Sequence, residues 1–265
     1  MSSWMSLLKK EIRLGLPAFL IPVIAFIVVA GIGSYIGYRH GFGIEGFTGI
    51  AILATGAQMF YLPCYLFFSL QAERKKLHLW LHNPLPGASL IGAKVVAGLI
   101  SMLLTILITG VTGLIALSIS ENVPDLQWDS VINLSFFGGV HLVLFSLSFA
   151  ACFIFFWMIY LMFTRSIGTF LSFLSTFILF VASTSLFGWF SNSSLYAKLT
   201  MWGEVPLTGL AQHLNFFTDV QMGNIDVGSN IEPISVFIGG YVFETILALI
   251  LFFAACWILD RKVEV

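Results

Sequence analysis

From Leu14 to Tyr38 the chain carries no charged side chain. At about 1.5 Å of rise per residue, such a run makes a helix longer than the ~30 Å hydrocarbon layer of a bilayer. Five more long apolar runs follow, and the spans read from the sequence are about 14–38, 46–70, 95–119, 134–163, 167–190 and 234–259. Backbone polar groups in lipid must be satisfied within their own segment, so runs of this length are expected as helices. The fourth run is the longest and implies tilt or a protruding end. Composition points the same way. Of 265 residues 58% are hydrophobic and 9% charged, against roughly 25% charged in a soluble domain, and one soluble core could not hide that much apolar surface. The expected fold is an all-α integral membrane protein with six transmembrane helices, the chain 1–265 forming a single transmembrane domain. Residues 14–38 are too long, and too Gly-rich at their far end, for a cleaved signal peptide.

Lys and Arg close to span ends resist translocation, so their distribution sets orientation. With both termini cytoplasmic, the inside holds Lys9, Lys10, Arg13, Arg74, Lys75, Lys76, Lys94, Arg165, Arg261 and Lys262, and the outside only Arg39 and Lys198. Acidic residues lean outward: Glu45, Glu121, Asp125, Asp129, Glu204, Asp219, Asp226 and Glu232. A multi-pass protein of the cell membrane with cytoplasmic termini is therefore expected. Cys64, Cys152 and Cys256 all lie within spans and show no pairing framework.

Three segments outside the spans carry pattern. The N-terminal SSWMSLLKKEIRLG places Trp4, Leu8 and Ile12 at i, i+4, i+8, with Lys9, Lys10 and Arg13 on other faces, as in a helix lying in the membrane interface. Between spans two and three, Glu73 to His82 reads as a short cytoplasmic helix with Leu77, Trp80 and Leu81 grouped on one side, ended by Asn83-Pro84. Two readings stand for it. It is a docking surface for a partner, or a solvated loop whose Arg74, Lys75 and Lys76 enforce topology and meet anionic lipid. The outer connection 191–233 is far longer than ordinary loops, and Trp202, Leu207, Leu210, Phe216 and Phe217 within it call for cover. It is expected to be partly helical and packed at the outer surface.

Several chemical motifs fail on inspection. GASLIGAK, Gly87 to Lys94, resembles a phosphate-binding loop, but Ala93 separates the second Gly from Lys94 and Val95 replaces the hydroxyl residue. His78 and His82 have the i, i+4 spacing of a zinc pair without the glutamate or a third ligand. No nucleophile motif or paired carboxylates support an enzyme. Gly33-x-x-x-Gly37 and the stripe Ser101, Thr105, Thr109, Thr112 read as helix-packing surfaces. Glu244 is the one carboxylate placed well inside a span, ten residues or ~15 Å from the outer end of the sixth run, with His141 and Gln58 as candidate partners. Both an interhelical hydrogen bond and a substrate contact remain open for it.

Taken in order, the interfacial MSLLKKEIR, the segment AERKKLHLWLHNPLPGASLIGAK between spans two and three, and the closing HLNFFTDVQMGNIDVGS…FETILALILFFAACWILDRK resemble the permease subunits of type-2 ATP-binding-cassette transporters. The resemblance implies that the 73–82 helix is a coupling helix, with Glu73, Leu77, Trp80 and Leu81 seated in a groove of a separate ATPase. It also implies a second permease subunit, identical or homologous, across a translocation path, and export as the usual direction. The chain has no Walker or signature sequence, so ATP and Mg are expected on the partner ATPase, with no cofactor, metal or catalytic residue here and no nucleic-acid partner. The alternative is a polytopic membrane protein of another kind, a secondary transporter or an immunity or scaffold protein.

Overall fold

The structure is a computed structural model, and it describes residues 3–74, 86–120, 128–206 and 235–263. Among these, six helices are long and apolar enough to cross a membrane: Trp4–Arg39, Gly43–Glu73, Gly87–Ile119, Val131–Ile167, Thr169–Ser191 and Ile238–Arg261. The protein is a helical, multi-pass membrane protein.

Helix α1 (Ser3–Leu14) meets α2 (Leu16–Arg39) at Gly15, with Pro17 in the first turn of α2, where its missing N–H breaks no helical hydrogen bond. A tight turn through Gly41, at φ +83°, returns the chain as α3 (Gly43–Ala57). Helices α2 and α3 lie against each other because glycines face the seam. A Cβ on Gly37 would sit 2.7 Å from the Phe42 carbonyl oxygen, and one on Gly46 3.2 Å from that of Gly33. This is the close backbone approach that small residues allow in lipid. A 3₁₀ turn at Gln58–Phe60 joins α3 to α4 (Tyr61–Arg74). Pro63 lies in the first turn of α4 and cannot donate to the residue four earlier, which accounts for the irregularity inside this second span.

Helices α5 (Gly87–Ile119) and α6 (Trp128–Ile167) follow, 33 and 40 residues long. Next come α7 (Thr169–Ser191), α8 (Ser194–Thr200) and α9 (Ile238–Ile258). The third span thus begins at Gly87, earlier than the apolar run that starts near 95, and takes Lys94 into the helix. Between α8 and α9 a two-stranded antiparallel pair forms, β1 (Glu204–Pro206) on β2 (Ser235–Phe237), with Glu204 opposite Phe237. Of the 191–233 connection, α8 is a helix, capped by Ser193 Oγ accepting from the Tyr196 N–H. The Tyr196 ring packs edge-on to Phe187, Phe190 and Phe243. Trp202 is half-exposed and donates its indole N–H to the Leu199 carbonyl at 2.8 Å. Leu207, Leu210, Phe216 and Phe217 lie outside the described residues.

The main core gathers Leu62 and Leu66 of α4, Ile91 and Met102 of α5, Ile154 and Met158 of α6 and Cys256 of α9. Helix α1 joins it through Leu7 and Leu8. Its inward face is therefore Leu7, Leu8 and Glu11, while Ile12 is exposed and Trp4 only partly covered. Of the stripe Trp4–Leu8–Ile12 expected from spacing, Leu8 is buried and Trp4 packs against the core, while Ile12 faces outward.

Candidate functional site: a buried ring of ion pairs at one end of the bundle

Four charged side chains close into a ring where α1, α4 and α5 meet. Lys94 Nζ lies 2.8 Å from Glu11 Oε2 and 2.9 Å from Glu73 Oε2. Lys10 Nζ lies 3.3 Å from Glu73 Oε1 and 4.0 Å from Glu11 Oε1. Each carboxylate thus faces a lysine with both oxygens, and the charges sum to zero. The Lys94 side chain is 0% exposed and that of Glu11 1%, whereas Lys10 reaches out at 55%. Burying one such charge alone is prohibitive, and it becomes tolerable only when opposite charge and hydrogen bonds surround it. Ser69 of α4 supplies part of that surround, since its hydroxyl accepts from Lys94 at 2.9 Å and donates to Glu11 Oε2 at 3.3 Å. Tyr65, one turn earlier, donates to the Glu11 backbone carbonyl at 3.2 Å. Gly15 packs so closely on the Tyr65 ring that a Cβ there would overlap it.

The ring explains which face α1 turns inward. Glu11 has a buried lysine to meet on α5, and Leu7 and Leu8 follow it inward as neighbours on the same helical face. It also explains how Lys94 can sit inside a long apolar helix. Its stem lies on the face that carries Gly98, Ser101, Thr105 and Thr109, all buried.

At the same end, the backbone N–H of Gly87, first residue of α5, donates to Asp260 Oδ1 at 2.9 Å. The carboxylate satisfies one of the four unpaired N–H groups of a helix start and sits where the helix dipole favours negative charge. Both flanks of residues 75–85 are consequently tied down. Glu73 anchors one side to α1 and α5, and Gly87 anchors the other to the turn that ends α9.

The residues singled out by the sequence are placed as follows. Glu73 is the penultimate residue of α4 and a buried member of the ring. Leu77, Trp80 and Leu81 lie outside the described residues. Gln58 is buried at the 3₁₀ turn, where Oε1 accepts from the Thr105 hydroxyl at 3.0 Å. A second bridge lies above it, Thr55 to Thr109 at 3.0 Å. His141 Nδ1 lies 3.0 Å from the Tyr241 hydroxyl, with the rings edge to face. Glu244 is exposed on α9, and His141 and Gln58 have Tyr241 and Thr105 as their partners instead. Because α9 starts at Ile238, Glu244 is six residues or ~9 Å from that helix end, less deep than the run boundary implied. Lys94, Glu11 and Ser69 were missed as a site. The signal was present, since extending the small and polar stripe of α5 backward by three and seven residues from Ser101 meets Gly98 and Lys94.

No family model, curated protein or solved structure matches this chain.

Proposed function

We propose that the chain is the membrane-spanning subunit of an ATP-driven exporter of the type-2 ATP-binding-cassette kind, working with a separate ATPase and a second permease subunit. In this reading both termini are cytoplasmic, α1 lies at the inner interface, and the 73–82 segment carries the helix that seats in the ATPase. ATP and Mg act on the ATPase. The observation that carries the reading is the double anchorage of the 75–85 connection. A push delivered there by a partner reaches α4 through Glu73, α1 and α5 through Lys94 and Glu11, and α9 through Asp260. A loop serving topology alone has no use for a zero-charge buried ring at its root, whereas a segment that transmits force needs stiff roots. Ion pairs held in a dry environment are stiff because separating them exposes unpaired charge.

The test is a purification followed by an activity. The tagged chain, extracted from native membranes in mild detergent, should bring down a polypeptide that hydrolyses ATP. Trp80→Ala with Leu77→Asp should keep the chain in the membrane and remove the ATPase or its stimulation, since a docked aromatic anchor is worth about 2 kcal/mol or more. Purification as a chain with no associated ATPase, and ATPase coupling unaltered in the double variant, would reject the proposal.

A further inference from the structure

Helices α4 and α7 both pack on α6 rather than on each other, which leaves a groove of about 450 Å³ between them with α6 as its floor. The floor is aromatic. Phe153, Phe156, Trp157 and Tyr160 sit at i, i+3, i+4, i+7 on one face of α6. The α7 wall repeats the spacing with Phe173, Thr176, Phe177 and Phe180, and the α4 wall gives Phe67 and Gln71. Among the described residues ten line the groove; eight of these carry rings, and none of the ten is acidic or basic. The rings brace one another edge to face, with centroids 5.7 Å apart for Phe67 and Trp157 and 5.2 Å for Phe156 and Phe180. Phe67, Phe173 and Phe177 are nevertheless about half exposed or more, so packing between the helices does not use them up. The Thr176 hydroxyl oxygen is buried and has no hydrogen-bond partner among the described residues, although Thr164 and Thr184 return theirs to backbone carbonyls.

What fills such a groove is decided by competition with lipid. Acyl chains are as apolar as any aliphatic ligand, so a neutral hydrocarbon gains nothing by leaving the bilayer for the groove. The groove offers what lipid tails lack, which is ring faces of negative potential, with no basic side chain among its described lining residues. An anion is repelled by those faces, whereas a cation is attracted by each ring it touches, most strongly where water is excluded. The cation has to be weakly hydrated, with alkyl or aryl groups in place of N–H donors, because the lining could not replace the hydrogen bonds of an ordinary ammonium. The volume falls in the range of about 300–1,000 Å³ that holds drug-sized molecules. We propose that the groove between α4, α6 and α7 binds a lipophilic organic cation, a quaternary ammonium or phosphonium group on apolar substituents.

The probe is tetraphenylphosphonium, titrated against the full chain in nanodiscs of phosphatidylglycerol and phosphatidylethanolamine, with binding to empty discs subtracted. Saturable binding is expected, weakened tenfold or more in Trp157→Leu/Phe177→Leu and about threefold in Phe173→Leu, a single change at a ring 64% exposed that leaves the packing of α6 intact. Tetraphenylborate, equal in shape and opposite in charge, should not compete. Repeating the titration in phosphatidylcholine discs separates two sources of the same chemistry. Weaker binding there identifies a lipid choline headgroup as the resident cation, and unchanged binding identifies a free one. Displacement by tetraphenylborate, affinity unaffected by the leucine changes, or no saturable binding because a second copy covers the groove, would each overturn the proposal. Binding is read without nucleotide or ATPase, so it stands or falls apart from the transport reading.

Discussion

Lys94 Nζ is 2.8 Å from Glu11 Oε2, and both side chains are withdrawn from solvent. Removing one partner alone leaves buried charge uncompensated. Lys94→Met should therefore lower stability by about 3–5 kcal/mol, the range for breaking a buried pair from one side. Adding Glu11→Gln and Glu73→Gln removes the stranded charges and should recover most of the loss. Thermal unfolding in detergent, followed by tryptophan fluorescence, reads both. A Lys94→Met chain as stable as the parent would mean that water reaches the Lys94–Glu11 pair.

The contact between Gln58 and Thr105 tests how much a single interhelical hydrogen bond is worth here. Thr105→Val should cost about 0.6 kcal/mol, rising toward ~1.7 if Gln58 finds no other donor. Gln58→Leu on top of Thr105→Val should cost less than the sum of the two single changes. Strict additivity in the double-mutant cycle would show that the two side chains do not interact.

Gly98 is a steric prediction. A Cβ there would lie 2.6 Å from Leu62 Cδ1 and 2.8 Å from Tyr65 Cδ1. Gly98→Val should destabilise by about 1–3 kcal/mol through overpacking. Gly110→Ala on the same helix meets nothing within 4 Å and should be neutral or slightly stabilising. Equal effects from the two changes, measured by the same unfolding assay, would remove the packing argument.

Asp260 sits at the start of α5, and Asp260→Ala should cost about 1 kcal/mol as a lost helix cap. Asp260→Asn, which still accepts from the Gly87 N–H, should retain most of that. Protease sensitivity of the 75–85 connection in membranes should rise for Ala and stay near the parent for Asn. The opposite order would show that charge near the helix end matters more than the hydrogen bond.

Glu244 yields an insertion prediction. An ionisable side chain at depth costs about 2.5 kcal/mol at the centre of a span and less toward its ends, and Glu244 is ~9 Å from the start of α9. Glu244→Leu should therefore make insertion of the isolated sixth span more favourable by about 1–2 kcal/mol in a glycosylation-based assay. In the whole chain Glu244→Ala should leave unfolding unchanged within about 0.5 kcal/mol. A large loss of stability would reveal a partner for Glu244 that the helix packing does not supply.

The six spans were legible because length and apolarity are properties of single segments, and a bilayer demands both. The ring was not. In the sequence Lys94 reads as a topology-setting charge because the apolar run begins at Val95, while the helix begins at Gly87, so rules based on hydropathy end a span where the helix does not end. Glu11 and Glu73 lie 83 and 21 positions from Lys94, and no local spacing reports that three separated helices meet. Glu244 shows the converse. A carboxylate inside an apolar run is easy to see, but its depth and partners depend on where the helix starts and what packs on it.

The antiparallel pairing of Glu204–Pro206 with Ser235–Phe237 works as a clasp. It holds the two ends of the intervening stretch, 207–234, side by side whatever lies between them. Lengthening a closed excursion adds only about 0.6 kcal/mol for each doubling, and the clasp isolates the rest of the bundle from even that change. Whatever the length of chain between the two strands, α8 enters the clasp and α9 leaves it at fixed, neighbouring points, so the last membrane helix keeps its register.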